Sequence, residues 1–211
     1  KAYSDKVRFI AVEKGEKLVL SKNQITINPG IERDYEQMLE YLGQQGINIT
    51  RIVHLWSFDP FDQLTPDDQA LMDHYYYSIA YLAKALVFHQ QNNALAFELI
   101  TSNAHNILGS DLKMPLKCAA HGLLKVIYKE LPNVHFRAID LDFTDGDLNR
   151  KGKWIDELTR FPDQEQVAFR NDRRYSLRYI HNVGSTWHNL IVKINMHKLG
   201  RSVSSHRTVR S

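Results

Sequence analysis

The sequence predicts an α/β domain of the Rossmann-like class, because its apolar strand-like segments alternate with helical ones. Residues 47–56, 95–101 and 134–141 are compact apolar runs containing β-branched side chains, which is typical of strands buried on both faces of a parallel sheet. Residues 66–90 and 115–130 lie between these runs and carry apolar residues at helical spacing. This alternation favours right-handed crossovers, so we expect a three-layer domain with a mostly parallel sheet and helices on both faces.

The first thirty residues alternate apolar and polar side chains, which indicates short strands. Residues 13–16 and 21–23 are suited to turns, and Asn28-Pro29-Gly30 ends the unit. We therefore expect a short antiparallel β unit at the N-terminus, followed by a first helix over residues 31–45. That helix is predicted from apolar residues at helical spacing: Tyr35, Met38, Leu39 and Leu42.

The chain after residue 141 contains shorter and more polar segments. We predict a turn over residues 145–153, a helix over 154–160 and two short strands over 165–169 and 175–179. The charged residues 170–174 are predicted to form the turn between those strands. A chain of 211 residues suits one domain with a substantial core and is too short for separate cofactor and substrate domains.

Composition indicates a chain that folds in water. The sequence is 43% hydrophobic and 24% charged, with few glycines and prolines. No run approaches the ~18–20 apolar residues of a membrane span, and the first residues lack the apolar core of a signal peptide. The single cysteine, Cys118, excludes an intrachain disulfide, which fits a reducing compartment. We therefore expect a cytoplasmic protein without a membrane partner.

Positive charge is concentrated at the C-terminal end. Residues from Lys151 onward hold 12 Lys and Arg against 5 Asp and Glu, and no acidic residue follows Asp172. Such a segment can attract nucleic acid or an acidic partner. Because the charges are scattered and no nucleic-acid-binding motif accompanies them, we expect no nucleic-acid partner.

The motifs that would give a Rossmann-like domain its usual chemistry are absent from the sequence. No three of the ten glycines fit GxGxxG or a phosphate-binding GxxxxGK, so the fold class comes without a dinucleotide fingerprint. Short-chain reductases use a Tyr-x-x-x-Lys pair for proton transfer to a carbonyl. None of the ten tyrosines is followed by lysine four positions later, so this motif is absent. The ten histidines show no HxH or HxxxH ligand pair, so we expect no metal site.

Residues that follow the predicted strands are the remaining candidates for a site. Ser57 and Asp59 follow the first central strand, and Ser102 and Asn103 follow the second. In α/β sheets, ligands bind at the carboxyl ends of the strands. No GxSxG elbow surrounds these serines, so we interpret them as loop-capping residues. His54 lies in an apolar strand and is interpreted as a buried, hydrogen-bonded side chain.

Three further groups are interpreted as structural. Asp140 and Asp142 could bind a cation or act as acid and base, but without a second acidic cluster we assign them to strand-end and turn chemistry. Residues 75–77 are consecutive tyrosines on a predicted helix and point in different directions, so they cannot form a stacking platform. Cys118 is interpreted as a small core residue.

The order of several segments resembles the structural, non-catalytic subdomain of ketoreductase domains in modular polyketide synthases. The most specific part is a helix that ends on Glu-Leu-Pro, followed by a strand that ends on Ile-Asp-Leu-Asp. The segments are RIVHLWSFD (51–59), YSIAYLAKAL (77–86), FELITSNAHNIL (97–108), PLKCAAHGLLKVIYKELPNVHFRAIDLDF (115–143) and EQVAFRNDRRYSLRY (165–179).

This resemblance implies a truncated Rossmann-like subdomain over residues 1–179, with residues 180–211 as a basic C-terminal segment or linker. In a complete ketoreductase the closing strand is followed by a catalytic half with a glycine-rich fingerprint and serine, tyrosine and lysine. Residues 180–211 carry no such motif. The resemblance therefore implies no catalytic, cofactor-binding or metal residues in this chain, with NADPH bound only by a partner catalytic subdomain.

Two functions follow as hypotheses. In the first, the chain is not itself an enzyme and stabilises a catalytic ketoreductase half or spaces neighbouring synthase domains, with an acyl carrier protein and dimerisation through the parent synthase as further contacts. In the second, the chain is a free-standing small α/β enzyme or ligand-binding protein that acts at the strand ends near Ser57, Asp59, Ser102 and Asn103.

Overall fold

Two β-sheets organise the fold. The computed structural model describes residues 8–58, 68–89, 93–112, 114–142, 157–158, 165–171, 173–179, 192–198 and 201–204. A three-stranded sheet contains β1 (Ala11–Lys14), β2 (Val19–Leu20) and β3 (Gln24–Ile27) in the order β1-β3-β2. A seven-stranded sheet runs in the order β10-β9-β8-β7-β6-β5-β4 and contains β4 (Arg51–Ser57), β5 (Leu95–Ser102), β6 (Val134–Leu141), β7 (Gln166–Arg170), β8 (Arg173–Tyr179), β9 (Val192–Lys198) and β10 (Arg201–Ser204).

The large sheet is parallel in its centre and antiparallel beyond it. Strands β4 to β7 pair parallel to one another, whereas β7 to β10 pair antiparallel. The predicted α/β class and the parallel arrangement of the central strands are thus confirmed. Residues 180–211, predicted as a basic segment or linker, contain β9 and β10, while the domain boundary at residue 179 stays a prediction.

The N-terminal β unit differs from its prediction. Strands β2 and β3 are antiparallel, but β1 pairs parallel with β3, so the unit is mixed. Residues 13 and 14, predicted as a turn, belong to β1, and the Gly15 N–H donates to the Ile27 carbonyl at 2.9 Å. A side chain at Gly15 would overlap Thr26, so glycine is needed where the chain leaves β1 beside β3. Alternation alone identifies strands without fixing their relative direction.

The helices connect the parallel strands as predicted, with one irregularity. Helix α1 (Glu32–Gln44) precedes β4, and α4 (Leu116–Glu130) connects β5 to β6. Between β4 and β5, α2 (Asp68–Met72) and α3 (Ser78–Phe88) are separated by a π-helical turn, Asp73–Tyr77. A regular hydrophobic spacing predicts one continuous helix there and does not reveal this wider turn, a feature that is frequent at functional sites.

The core lies on both faces of the parallel strands. Along β5, Phe97 and Leu99 join a large cluster that also contains apolar residues of α1, α3 and α4. Ile100 belongs to a second cluster with Ile139, Leu141 and Val167, against which Leu158 packs. Residues 157 and 158 are helical, and the rest of the helix predicted over 154–160 lies outside the described residues. Since both faces are covered, polar side chains of β5 and β6 are buried together near the strand ends.

Candidate functional site

A buried carboxylate, Asp140, organises the carboxyl ends of β5 and β6. Its side chain is fully buried, and it accepts hydrogen bonds from Thr101 Oγ1 at 2.8 Å and from the backbone N–H groups of Ala104 at 2.9 Å and His105 at 3.0 Å. The backbone donors come from the loop that follows β5. The carboxylate therefore fixes the start of that loop in the place where parallel sheets usually hold ligands.

Arg170, at the end of β7, supplies the opposite charge. Its Nη2 lies 2.5 Å from Asp140 Oδ2, and its Nε lies 2.5 Å from Asp111 Oδ2. The guanidinium also donates to the carbonyl oxygens of Asp140, His105 and Phe169 at 3.1, 3.0 and 2.9 Å. Burial opposes ionisation of Asp140, but the charge of Arg170, the Ala104 N–H and the Arg170 hydrogen bond outweigh it and lower the pKa of the carboxyl. The result is a buried ion pair in which Asp140 accepts hydrogen bonds through its carboxylate and Arg170 donates to carboxylate and carbonyl oxygens.

Two histidines extend this network. His121 on α4 places Nε2 at 3.1 Å from Thr101 Oγ1, and His105 Nε2 lies 3.0 Å from His121 Nδ1. Burial, followed by the neighbouring His105, lowers the pKa of His121 to about 3, and burial also lowers the pKa of His105. Both rings are therefore neutral near pH 7, and each carries a single ring proton.

The ionised Asp140 fixes where those protons lie. Thr101 gives its hydroxyl proton to Asp140, so His121 Nε2 must donate to the Thr101 oxygen. His121 Nδ1 then lacks a proton and accepts from His105 Nε2. As a consequence, His105 Nδ1 is also unprotonated, and it lies 3.7 Å from Cys118 Sγ. One buried charge thus sets the tautomers of two rings.

Cys118 stands at the outer end of this chain as a neutral thiol. Its Sγ donates to the Ala104 carbonyl, and its pKa is raised by burial and by the charge of Asp140. A nucleophilic cysteine needs a lowered pKa. The half-buried thiol therefore contributes a hydrogen bond to the loop, and it lies outside the two core clusters, so its prediction as a small core residue is wrong in placing it in the core.

Ser102 and Asn103 are held by their own partners. Ser102 Oγ accepts from Lys117 Nζ at 2.7 Å, and that buried ammonium lies 5.1 Å from the ring centroid of Tyr75. Asn103 has a positive φ of 49° and donates from its side chain to the Asp111 carbonyl at 3.1 Å. Asn103 thus holds the loop after β5, whereas Ser102, predicted to cap a loop, is the last residue of β5 and accepts a hydrogen bond from α4.

A second polar cluster lies in the same sheet nearer the start of β5. Glu98 and Arg137 are paired in register on β5 and β6, with Arg137 Nη1 at 3.4 Å from Glu98 Oε1. Arg137 Nη2 also lies 2.7 Å from Glu157 Oε1, and Arg174 contacts the same carboxylate at 2.8 Å. Burial raises the pKa of Glu98 against the charges of Arg51 and Arg137. This cluster attaches residues 157–158 to the sheet.

A cavity of about 220 Å³ lies beside the histidines, between the loop after β5 and strands β7 and β8. Its lining is mainly apolar, and within the described part of the chain no Lys, Arg, Asp or Glu side chain lines it. The residues that line it are His105, Asn106, Ile107, His121, Gln166, Val167, Ala168, Tyr175, Ser176 and Leu177.

The other residues singled out by sequence do not converge on this place. His54 is buried and its Nε2 lies 3.1 Å from Ser78 Oγ, which confirms the predicted hydrogen-bonded histidine. Ser57 is fully buried at the end of β4, and Asp59 lies outside the described residues. Tyr76 and Tyr77 meet edge to face at 5.5 Å, so these consecutive rings form no common platform.

The sequence interpretation missed the importance of Asp140 and Arg170. It assigned Asp140 to strand-end and turn chemistry and Arg170 to a charged turn, whereas both are fully buried and paired. A usable signal was present: charged residues occur inside otherwise apolar strands, as Glu98 and Arg137 also do. Charges in such strands need partners, and opposite charges on adjacent strands are the obvious ones.

Neither a metal site nor a membrane helix is found in the described part of the chain. No group of three or more His, Cys, Asp or Glu side chains there is arranged to hold a metal ion. No helix among the described residues combines the length and apolar character needed to cross a bilayer.

Comparison with known proteins gives a family and a fold. A family model described as beta-ketoacyl synthase-like, N-terminal, matches residues 1–153, well over half of the chain. No curated protein matches the sequence. The chain is similar in structure to a keto acid-selecting NRPS module solved with adenylation, ketoreductase and pseudo Asub domains, with a TM-score of 0.74 and 20% identity over 94% of this chain and 15% of that one.

Two ketoreductase structures are also similar. An N-terminal ketoreductase from the macrolactin assembly line has a TM-score of 0.63 and 17% identity, over 97% of this chain and 37% of that one. A C2-type ketoreductase from a modular polyketide synthase has a TM-score of 0.56 and 20% identity, over 78% and 36%. The predicted resemblance to ketoreductase regions is confirmed at the level of fold, and the chain spans less than two fifths of each of these three proteins.

Proposed function

We propose that this chain, which belongs to the beta-ketoacyl synthase-like, N-terminal family, is the structural subdomain of a ketoreductase region in a polyketide synthase or a related module. In this role it does not bind NADPH. It stabilises the NADPH-dependent catalytic half, or spaces the neighbouring domains, while the polyketide chain is modified.

The observation that carries this proposal is the occupation of the strand ends by the protein's own ion pair. In a dinucleotide-binding domain, the pyrophosphate lies at the carboxyl ends of the strands on a glycine-rich turn. Here the Asp140 carboxylate lies at the carboxyl ends of the strands, and it accepts hydrogen bonds from the backbone N–H groups of Ala104 and His105. A fixed carboxylate that already uses these donors disfavours a second anion.

The parallel sheet and its two-faced core suit a scaffold. The buried clusters around Asp140 and Glu98 connect β5, β6, β7 and β8 and hold the intervening segments against the sheet. Networks of this kind favour one arrangement of the elements, which is what a supporting subdomain requires.

The decisive experiment combines cofactor titration with assembly in trans. The full chain should show no saturable NADPH binding by fluorescence, and it should raise the melting temperature of a separately produced catalytic ketoreductase half when the two are mixed. A short-chain dehydrogenase that binds NADPH serves as the positive control. Tight, saturable NADPH binding by this chain, or a catalytic half indifferent to it, would contradict the proposal.

The second candidate is a free-standing small α/β enzyme or ligand-binding protein with a site at the strand ends. The ordered donors from Thr101 to His105 and the adjoining cavity favour this alternative. Reduction of a β-ketoacyl surrogate by the chain alone, with NADPH as the hydride donor, would support this alternative over the structural role if it is lost in Ser102→Ala and retained in Ser21→Ala, which changes an exposed serine of the N-terminal β unit.

A further inference from the structure

We propose that the cavity beside His105 binds a small neutral molecule with an apolar body and one ketone or alcohol oxygen, anchored by the Ser176 hydroxyl. This site goes beyond the proposed structural role and does not depend on it.

The size of the cavity limits the ligand. At about 220 Å³ it is somewhat larger than the roughly 150 Å³ cavity that accommodates benzene in a protein interior. A molecule of roughly seven to ten non-hydrogen atoms fits this space, whereas a dinucleotide is many times too large. Ile107, Val167, Ala168 and Leu177 give the walls an apolar character that suits a hydrocarbon ring or short chain.

The lining also selects a neutral ligand. None of the described lining residues is a Lys, Arg, Asp or Glu, and burial lowers the pKa of both lining histidines, so these rings carry no charge near pH 7. An anion or a cation in this cavity would lose part of its hydration without gaining a charged partner among the described lining residues.

Ser176 provides the anchor. The residue is 2% exposed, lines the cavity, and its Oγ has no hydrogen-bond partner among the described residues. His121 uses both ring nitrogens within the Asp140 network, and His105 directs Nε2 to His121 and Nδ1 towards Cys118. Ser176 is therefore a buried lining hydroxyl whose donor is unused among the described residues, and it can donate to a carbonyl or hydroxyl oxygen. A buried hydroxyl without a partner is unfavourable, and a ligand oxygen would satisfy it.

The test uses the full chain and cyclohexanone as the probe, with binding followed by NMR titration. We expect saturable shifts at the backbone amides of residues 105–107 and 166–168. Cyclohexanecarboxylate and cyclohexylammonium have similar rings but carry a charge, and neither should produce saturable shifts there. Equal binding of the carboxylate, or no saturable shift with cyclohexanone, would overturn the proposal.

Two variants test the anchor. Ser176→Ala should weaken cyclohexanone binding roughly three- to tenfold, because it removes one hydrogen bond and little volume. Ser57→Ala is the matched control, since Ser57 is also a buried serine without a hydrogen-bond partner for Oγ among the described residues, but it does not line the cavity. Unchanged affinity in Ser176→Ala, or an equal loss in both variants, would refute the anchoring role.

Discussion

Asp140 and Glu98 are buried carboxylates on neighbouring strands, yet their surroundings shift the pKa in opposite directions. Asp140 accepts from two backbone N–H groups, a hydroxyl and an arginine, and its pKa is lowered despite burial. Glu98 contacts Arg51 and Arg137 at 3.6 and 3.4 Å, its Oε2 has no hydrogen-bond partner among the described residues, and burial raises its pKa. Opposite charge nearby is therefore insufficient, because a buried carboxylate also needs short, directed hydrogen bonds to remain favourably ionised.

The largest effect should come from breaking the Asp140 pair. Arg170→Met leaves the carboxylate buried without its countercharge, and we expect the free energy of unfolding to fall by about 3–5 kcal/mol. Urea denaturation measures this change. Arg173→Met is the matched control, because Arg173 lies in the same hairpin and is exposed. Equal losses in the two variants would show that the ion pair contributes no special stability.

The second-largest effect should come from acidification, which changes the free energy of unfolding in opposite directions through the buried histidines and through Glu98. His54 and His121 have pKa values near 4 and 3 in the folded chain, and their unfolded values are higher, so the unfolded state binds more protons below about pH 6.5. Their contribution to stability is complete above that pH and is lost as the pH falls, at about 1.4 kcal/mol per pH unit for each histidine. Glu98 acts in the opposite direction, since its raised pKa lets the folded state take up a proton first.

Urea denaturation between pH 7 and pH 4.5 tests this balance. We expect a steady loss of stability on acidification, and a steeper loss in Glu98→Gln because the opposing proton uptake is gone. The control is His135→Gln, which changes an exposed histidine on β6 and should preserve the slope. A flat profile in the unmodified chain would contradict the burial of neutral histidines.

A smaller effect is expected in the hairpin that carries Arg170. Asn171 has a positive φ of 49°, and Arg170 pairs with Arg173 across a turn of two residues. Asn171→Ala should destabilise the chain by about 1 kcal/mol, because a Cβ without asparagine's local hydrogen bonding is unfavourable in this conformation. Asn171→Gly should be close to neutral, and thermal denaturation compares the two. A larger loss of stability in Asn171→Gly than in Asn171→Ala would contradict backbone strain as the cause of the destabilisation.

The smallest effect at neutral pH should be that of Glu98→Gln. Its carboxylate is unfavourably placed, so replacing it with an amide should change stability by about 1 kcal/mol or less. Asp140→Asn, measured in parallel, should lower the free energy of unfolding several times more. The neutral amide removes the negative charge that pairs with Arg170 and places N–H donors against the donors of the guanidinium. Similar losses in both variants would remove the distinction between the two carboxylates.

Much of the fold was accessible from local patterns. Strands β5 and β6 and helices α1 and α4 coincide closely with the predicted segments, because residue type and spacing in these segments indicate the element they form, whereas β4 begins four residues after the predicted start at residue 47. The direction of β1 and the π-helical turn at Asp73–Tyr77 were not accessible. The direction of β1 depends on contacts between segments, such as the Gly15 N–H with the Ile27 carbonyl, and the π-helical turn has no counterpart in the hydrophobic spacing.

The sequence by itself determined the α/β class, the parallel centre of the sheet and the lack of a glycine-rich phosphate-binding motif, since each follows from residue type and spacing along the chain. Only the tertiary structure decided which charges meet. Asp140 and Arg170 are thirty residues apart in sequence, and the pairing of β6 with β7 brings them to 2.5 Å. His105 and His121 are sixteen residues apart, and both line the cavity because the loop after β5 lies against helix α4. Spacing specifies elements, whereas burial and pairing of distant side chains specify a site.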